Sequence, residues 1–164
     1  MDDTLKILAR QLGERLQVRG QTLVTAESCT GGWIAKCVTD IAGSSGWLDR
    51  GFVTYSNDAK ADMLGVDPAT IEAHGAVSEQ TALEMAQGAL ANSPSEVAVA
   101  VSGIAGPGGG SPDKPVGTVC FAWAVQSGTE LVRTAYFDGD REAVRRQTVE
   151  LALSELIRLL EIDD

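Results

Sequence analysis

At 164 residues, 44% apolar and 22% charged, the chain has the size and make-up of one folded domain, which excludes a disordered or fibrous protein. Its formal net charge of −10 disfavours nucleic acid and anionic membrane surfaces as main partners, since both are recognised largely through Lys and Arg. Cys29, Cys37 and Cys120, odd in number and without CxxC spacing, signal neither a disulfide framework nor a zinc site.

The opening residues MDDTLKILARQLGERL lack the basic end and apolar run of a secretory signal. No stretch approaches the ~18 apolar residues of a membrane span, so a reducing cytoplasm is the expected setting. Leu5, Leu8, Leu12 and Leu16 recur at helical spacing and predict an opening helix ended by Gly20. Residues 22–26 (TLVTA) read as a strand, and a helix is expected from Gly31 to near Gly43, with the turn ESCTGG between them. Residues 51–55 (GFVTY) read as a second strand, after which Asn57 is the expected cap of the helix DAKADML. Asp67-Pro68 opens a short helix closed by His74-Gly75, and Ser78-Glu79 opens a longer one through about Ala91. The unbroken apolar run VAVAV at 97–101 predicts a central strand covered on both faces. Beyond a Gly/Pro-rich loop, residues 118–125 and 130–137 predict an antiparallel hairpin turned at Ser127-Gly128. A last helix starts near Asp140 and carries Thr148, Leu151, Ala152, Leu156 and Leu159 on one stripe.

Alternating strands and helices predict an α/β fold: three αβα layers around a mixed, mainly parallel sheet with a C-terminal antiparallel hairpin, one domain over residues 1–164. In such sheets, ligands bind where the loops at the carboxyl ends of the strands gather. Three polar clusters fall there: ESCTGG, YSNDAK, and the glycine loop SGIAGPGGG.

Ser28 precedes a helix start, where unpaired amides and the positive end of the helix dipole suit an oxyanion; the alternative is a simple cap followed by a glycine turn. A serine nucleophile needs a base. The single histidine, His74, stands at a helix end, which argues against a Ser-His-Asp triad. Lys60 is the better candidate, because desolvation and a helix N-terminus both disfavour its charge; Tyr55 is placed to relay the proton or to hold the lysine. The alternatives are a solvated helix lysine and a strand-edge aromatic. Ser111 and Lys114 have SxxK spacing, but Pro112 and Pro115 forbid the helix that motif requires. Cys29 is a rival nucleophile without an adjacent basic partner. The glycine loop can offer a nest of amides to a phosphate but lacks a P-loop ending. Arg141, Arg145 and Arg146 are candidate anion contacts.

Taken together, AESCTGG, GFVTYSNDAK, HGAVSE, SGIAGPGGGSPDKPVGTV and FDGDR resemble the C-terminal domain of the CinA family, in its standalone nicotinamide-nucleotide amidase form, over nearly the whole chain. The resemblance implies hydrolysis of the carboxamide of nicotinamide mononucleotide to nicotinic acid mononucleotide and ammonia, in pyridine-nucleotide salvage, with no metal and no cofactor. It maps the family's serine, tyrosine and lysine onto Ser28, Tyr55 and Lys60. It further implies amide-binding by Thr30, Gly31 and Gly32 and ligand contacts by Ser102, Gly103 and Gly106, with Arg141 as an added substrate contact. The separate N-terminal domain of many CinA proteins is not expected here, and any link to DNA is expected to be indirect. Exposed edge strands make a homo-oligomer the expected assembly. Two alternatives stay open: a pyridine-nucleotide-binding module without turnover, and an amidase for another carboxamide.

Overall fold

In the computed structural model, which describes residues 2–162, strands and helices follow each other as the hydrophobic spacing requires. Met1, Asp163 and Asp164, the outermost residues of the expected 1–164 span, lie outside the described residues. The order is α1 (Asp3–Arg19), β1 (Leu23–Glu27), α2 (Trp33–Thr39), β2 (Leu48–Val53), α3 (Asn57–Leu64), α4 (Pro68–His74), α5 (Glu79–Ala91), β3 (Val97–Gly103), β4 (Thr118–Val125), β5 (Glu130–Tyr136) and α6 (Arg141–Ile162).

Three boundaries differ from the sequence expectation. Helix α2 runs only from Trp33 to Thr39, because Gly31 and Gly32 sit at φ of 62° and 106° and hold the chain out of helix before Trp33. Strand β2 begins at Leu48, paired with Leu23 of β1, and ends at Val53, which leaves Thr54 and Tyr55 in the loop. Ser56 rather than Asn57 caps α3, its Oγ accepting the Ala59 amide at 3.0 Å. The extended backbone at Ser56 permits that bond, whereas Asn57 already has helical geometry.

The sheet has five strands in the order β2-β1-β3-β4-β5. Strand β1 pairs parallel with β2 and β3, and β4 pairs antiparallel with β3 and β5, so β4 alone opposes the others. The expected mixed sheet with a terminal hairpin is therefore present. Central placement of β3 follows from its composition, since every residue from Val97 to Ser102 is buried.

The pattern within VAVAV sets the two faces. Val97, Val99 and Val101 join Val119, Phe121 and Trp123 of β4 under α1, α2 and α6. Ala98 and Ala100 join Cys120, Ala122 and Ala124 under α5, with Met85, Ala86 and Leu64. Bulky side chains thus fill one layer, while the small ones on the other let α5 lie close to the sheet. On the bulky side Trp123 stacks on Phe121 with ring centres 5.3 Å apart, and its indole N–H donates to the Ala152 carbonyl of α6 at 3.1 Å. That bond satisfies the one polar atom the ring carries into the core.

Close approach on the alanine side extends to α3. A methyl group built on Gly88 of α5 would lie 1.8 Å from the Leu64 carbonyl oxygen at the end of α3. Gly88→Ala gains about 1 kcal/mol of helix propensity, but overpacking against backbone costs about 1–3 kcal/mol. The expected outcome is a net loss of stability in urea unfolding with an unchanged m-value, and a variant as stable as the parent would show that α3 and α5 are not in contact.

Candidate active site

Strands β1, β2 and β3 run in the same direction, so their carboxyl ends share one edge of the sheet. Ladder bonds continue past the strands: the Ser28 amide donates to the Val101 carbonyl at 3.1 Å, and the Thr54 amide donates to the Glu27 carbonyl at 2.9 Å. The residues after β1 and β2 are thereby fixed beside the end of β3. The Ser56 cap then starts α3 at once, and Lys60, on its first turn, points back under the loop.

Lys60 is 1% exposed. Its Nζ lies 3.1 Å from Ser28 Oγ, 3.0 Å from the Thr54 carbonyl oxygen and 3.3 Å from that of Tyr55. Among the described residues no carboxylate lies within ion-pair distance of it. Burial therefore pushes the amine pKa down from its ordinary value. A neutral amine has two hydrogens and one lone pair. A neutral Lys60 can give its two hydrogens to the two carbonyls and leave its lone pair towards the Ser28 hydroxyl, whereas a charged one donates to all three oxygens.

A cavity of about 310 Å³ opens onto this pair, lined also by Cys29, Ser102, Gly103 and Gly106 and by Tyr55 and Arg141. Seven of the ten residues singled out from the sequence thus meet at one place: Ser28, Tyr55, Lys60, Ser102, Gly103, Gly106 and Arg141. Tyr55 is 64% exposed, and it meets Lys60 through its carbonyl. Its hydroxyl lies 3.4 Å from an Arg141 guanidinium nitrogen instead. Of the two roles expected for Tyr55, holding the lysine has a contact in the structure and a hydroxyl relay does not. His74 ends α4 and does not line the cavity. Cys29 does line it, but burial and the nearby Glu27 carboxylate push its thiol up to about 12, which removes the thiolate.

Thr30, Gly31 and Gly32, expected to bind the amide, follow Ser28 in the same turn but are not among the residues that line the cavity. They line another hollow, with Trp33 and Arg145. Glu27, fully buried at the end of β1, puts its carboxylate on the start of α2: Oε1 accepts the Thr30 hydroxyl at 2.6 Å and the Ile34 amide at 2.8 Å, and Oε2 accepts the Ala35 amide at 3.1 Å. Burial pushes that carboxyl above its usual range, while these bonds and the nearby Gly32 amide pull it back. The Gly31 amide is likewise taken, by the Ser28 carbonyl at 3.1 Å. The amides at the start of α2 are therefore already taken by a carboxyl group of the protein itself. Among the described residues the Thr30 amide has no hydrogen-bond partner, while the Cys29 amide lies against its own thiol.

Glu27 is the residue that sequence reasoning missed. The available signal was a carboxylate closing a buried strand just ahead of a helix, a position that favours negative charge. The three arginines also separate. Arg141 lines the cavity and donates to the Gly106 carbonyl at 2.9 Å. Arg145 donates to the carbonyls of Cys29 and Thr30, both at 3.1 Å. Arg146 is paired with Asp2 and Glu150. Among the described residues no group of three or more His, Cys, Asp or Glu side chains is arranged to hold a metal ion.

Comparison with known proteins agrees with this architecture. The family model described as the CinA C-terminal domain matches residues 5–160. The nicotinamide-nucleotide amidohydrolase PncC of Escherichia coli strain K12 is 57% identical over 155 residues, which are 94% of each chain. The protein of the same name from Pseudomonas putida is 52% identical over 96% of this chain and 98% of its own. The crystal structure of the competence/damage-inducible protein CihA of Agrobacterium tumefaciens superposes with a TM-score of 0.94 at 52% identity, covering 97% of both chains. With the family model spanning nearly the whole sequence and the fold reproduced at this level, the chain belongs to the CinA C-terminal domain family.

Proposed function

We propose that this protein hydrolyses the carboxamide of nicotinamide mononucleotide, with Ser28 as nucleophile and Lys60 as its base, and so serves pyridine-nucleotide salvage. The observation that carries the reading is the buried Lys60 amine 3.1 Å from Ser28 Oγ, with two backbone carbonyls as its other partners. The choice of substrate is supported by the names of the relatives, and the cavity of about 310 Å³ falls at the small end of the range for small-molecule sites.

In this mechanism Ser28 Oγ forms a bond to the carboxamide carbon as its proton passes to Lys60 Nζ. The negative oxygen of the tetrahedral intermediate is met by the amide of Thr30, with that of Cys29 beside it. Lys60 returns the proton to the departing nitrogen, which leaves as ammonia, and an ester on Ser28 remains. Water then adds to that ester, giving one proton to Lys60, which passes it back to Ser28 Oγ as nicotinic acid mononucleotide is released. No metal or cofactor enters these steps. Arg141 and the amides of the glycine loop face the phosphate, with Ser102, Gly103 and Gly106 shaping the wall beneath the nucleotide and Tyr55 covering it. No described helix is long and apolar enough to cross a membrane, which is compatible with a small-molecule substrate met in the cytoplasm.

Purified Ser28→Ala should lose ammonia release by roughly three orders of magnitude or more, while Cys29→Ala keeps most of it. An active Ser28→Ala, or a folded but inactive Cys29→Ala, would transfer the nucleophile elsewhere. Binding of the mononucleotide by calorimetry without any ammonia from the parent protein would leave only a binding module.

Lys60 works as a base only when neutral, so kcat/KM should rise with pH through the Lys60 pKa, which lies below 10.5. Lys60→Met should lower the rate by about 10²–10⁴-fold and abolish that rising limb. A limb that survives in Lys60→Met belongs to another group and removes the lysine from the mechanism.

A further inference from the structure

Arg145 reaches the nucleophile turn from α6, far along the chain, and nothing in the mechanism above employs it. Its Nε donates to the Cys29 carbonyl and its Nη2 to the Thr30 carbonyl, both at 3.1 Å, so one planar fork holds two consecutive peptide units. The guanidinium is steadied from another direction by Trp33, with its carbon 5.6 Å from the ring centre. Gly31, whose φ of 62° suits a glycine, lies against the same guanidinium: a methyl group there would be in ordinary contact with Nη2 at 3.5 Å.

A trans peptide unit points its C=O and N–H in opposite directions. Fixing the Cys29 carbonyl on Arg145 therefore turns the Thr30 amide away from the arginine. The Ser28 carbonyl, taken by the Gly31 amide at 3.1 Å, sets the Cys29 amide by the same rule. The hollow on the arginine side and the reaction cavity share no lining residue. The Thr30 amide has no partner among the described residues, and a cation on the carbonyl oxygen also polarises the peptide, making its N–H a stronger donor.

We propose that Arg145 is a positioning residue for the reaction, aiming and polarising the Thr30 amide at the oxyanion that forms on attack by Ser28. The proposal rests on the amidase reading but is separate from the Ser28–Lys60 pair. Because the amide is needed only when charge develops, its loss acts on kcat and leaves ground-state binding alone.

The test measures ammonia release from nicotinamide mononucleotide by the parent, Arg145→Lys and Arg145→Gln, each rate normalised to the folded fraction by circular dichroism. The expected result is a 10- to 100-fold fall in kcat, on the order of losing one oxyanion donor, with KM within about twofold and the rising pH limb unmoved. Added guanidinium ion should restore part of the kcat of Arg145→Gln in a saturable manner. An unchanged kcat in the folded variants, a loss confined to KM, or no rescue by guanidinium would overturn the proposal. So would failure of both variants to fold, which assigns Arg145 to the scaffold. A parent protein that releases no ammonia refutes the amidase reading itself, a result distinct from all of these.

Discussion

Everything at this site depends on an amine buried without a counter-ion. Holding an ammonium group away from water and away from any carboxylate is costly, and burial lowers the pKa of Lys60 from its ordinary value. The fold makes that response useful by arranging what surrounds Lys60. Thr54 and Tyr55 present carbonyls that a neutral amine can satisfy with its two hydrogens, and Ser28 stands on the remaining side. A carboxylate in place of either carbonyl would restore the charge and end the basicity. In the proposed reaction the lack of a carboxylate partner for Lys60 among the described residues favours the neutral amine that a base requires.

The same arrangement weighs on stability. A lysine whose pKa is lowered by folding binds fewer protons in the native chain than in the unfolded one. Its contribution to stability therefore rises with pH from the folded value towards the ordinary one near 10.5, and the penalty is largest in acid. Rigid surroundings have to offset it. They come from the Ser56 cap, from the close seat of α3 against Gly88, and from the alanine layer that brings α5 onto the sheet.

Much of this was legible in the sequence because it is local. VAVAV gives a central strand by composition, and its Val/Ala alternation even fixes which layer is thick. Asp67-Pro68 and Ser78 act as caps where cap chemistry predicts. The polar clusters gather at one edge because parallel strands leave them no other place. What escaped is set by contacts between distant parts of the chain. Helix periodicity cannot show that Glu27 fills the start of α2, nor that the Tyr55 hydroxyl turns to Arg141, 86 residues on. The glycines of ESCTGG were expected to bind the amide; in the fold their positive φ angles delay α2 to Trp33, beside the turn that Arg145 holds.

That last point explains why the C-terminal helix belongs to the site at all. Arg141 and Arg145 are four residues apart and therefore on one face of α6. The first holds the Gly106 carbonyl of the glycine loop and the second holds the Ser28 turn, so a single helix ties two walls of the cavity together. Its own place is fixed from the core by the Trp123 indole on the Ala152 carbonyl. Arg146, one residue further round, faces away and spends its charge on Asp2 and Glu150. Three arginines that look equivalent in the sequence are separated by the hundred degrees each residue turns about a helix axis. A basic cluster read as candidate anion contacts is, in the folded chain, a cavity-lining residue on the glycine loop, a backbone clamp and an ion pair.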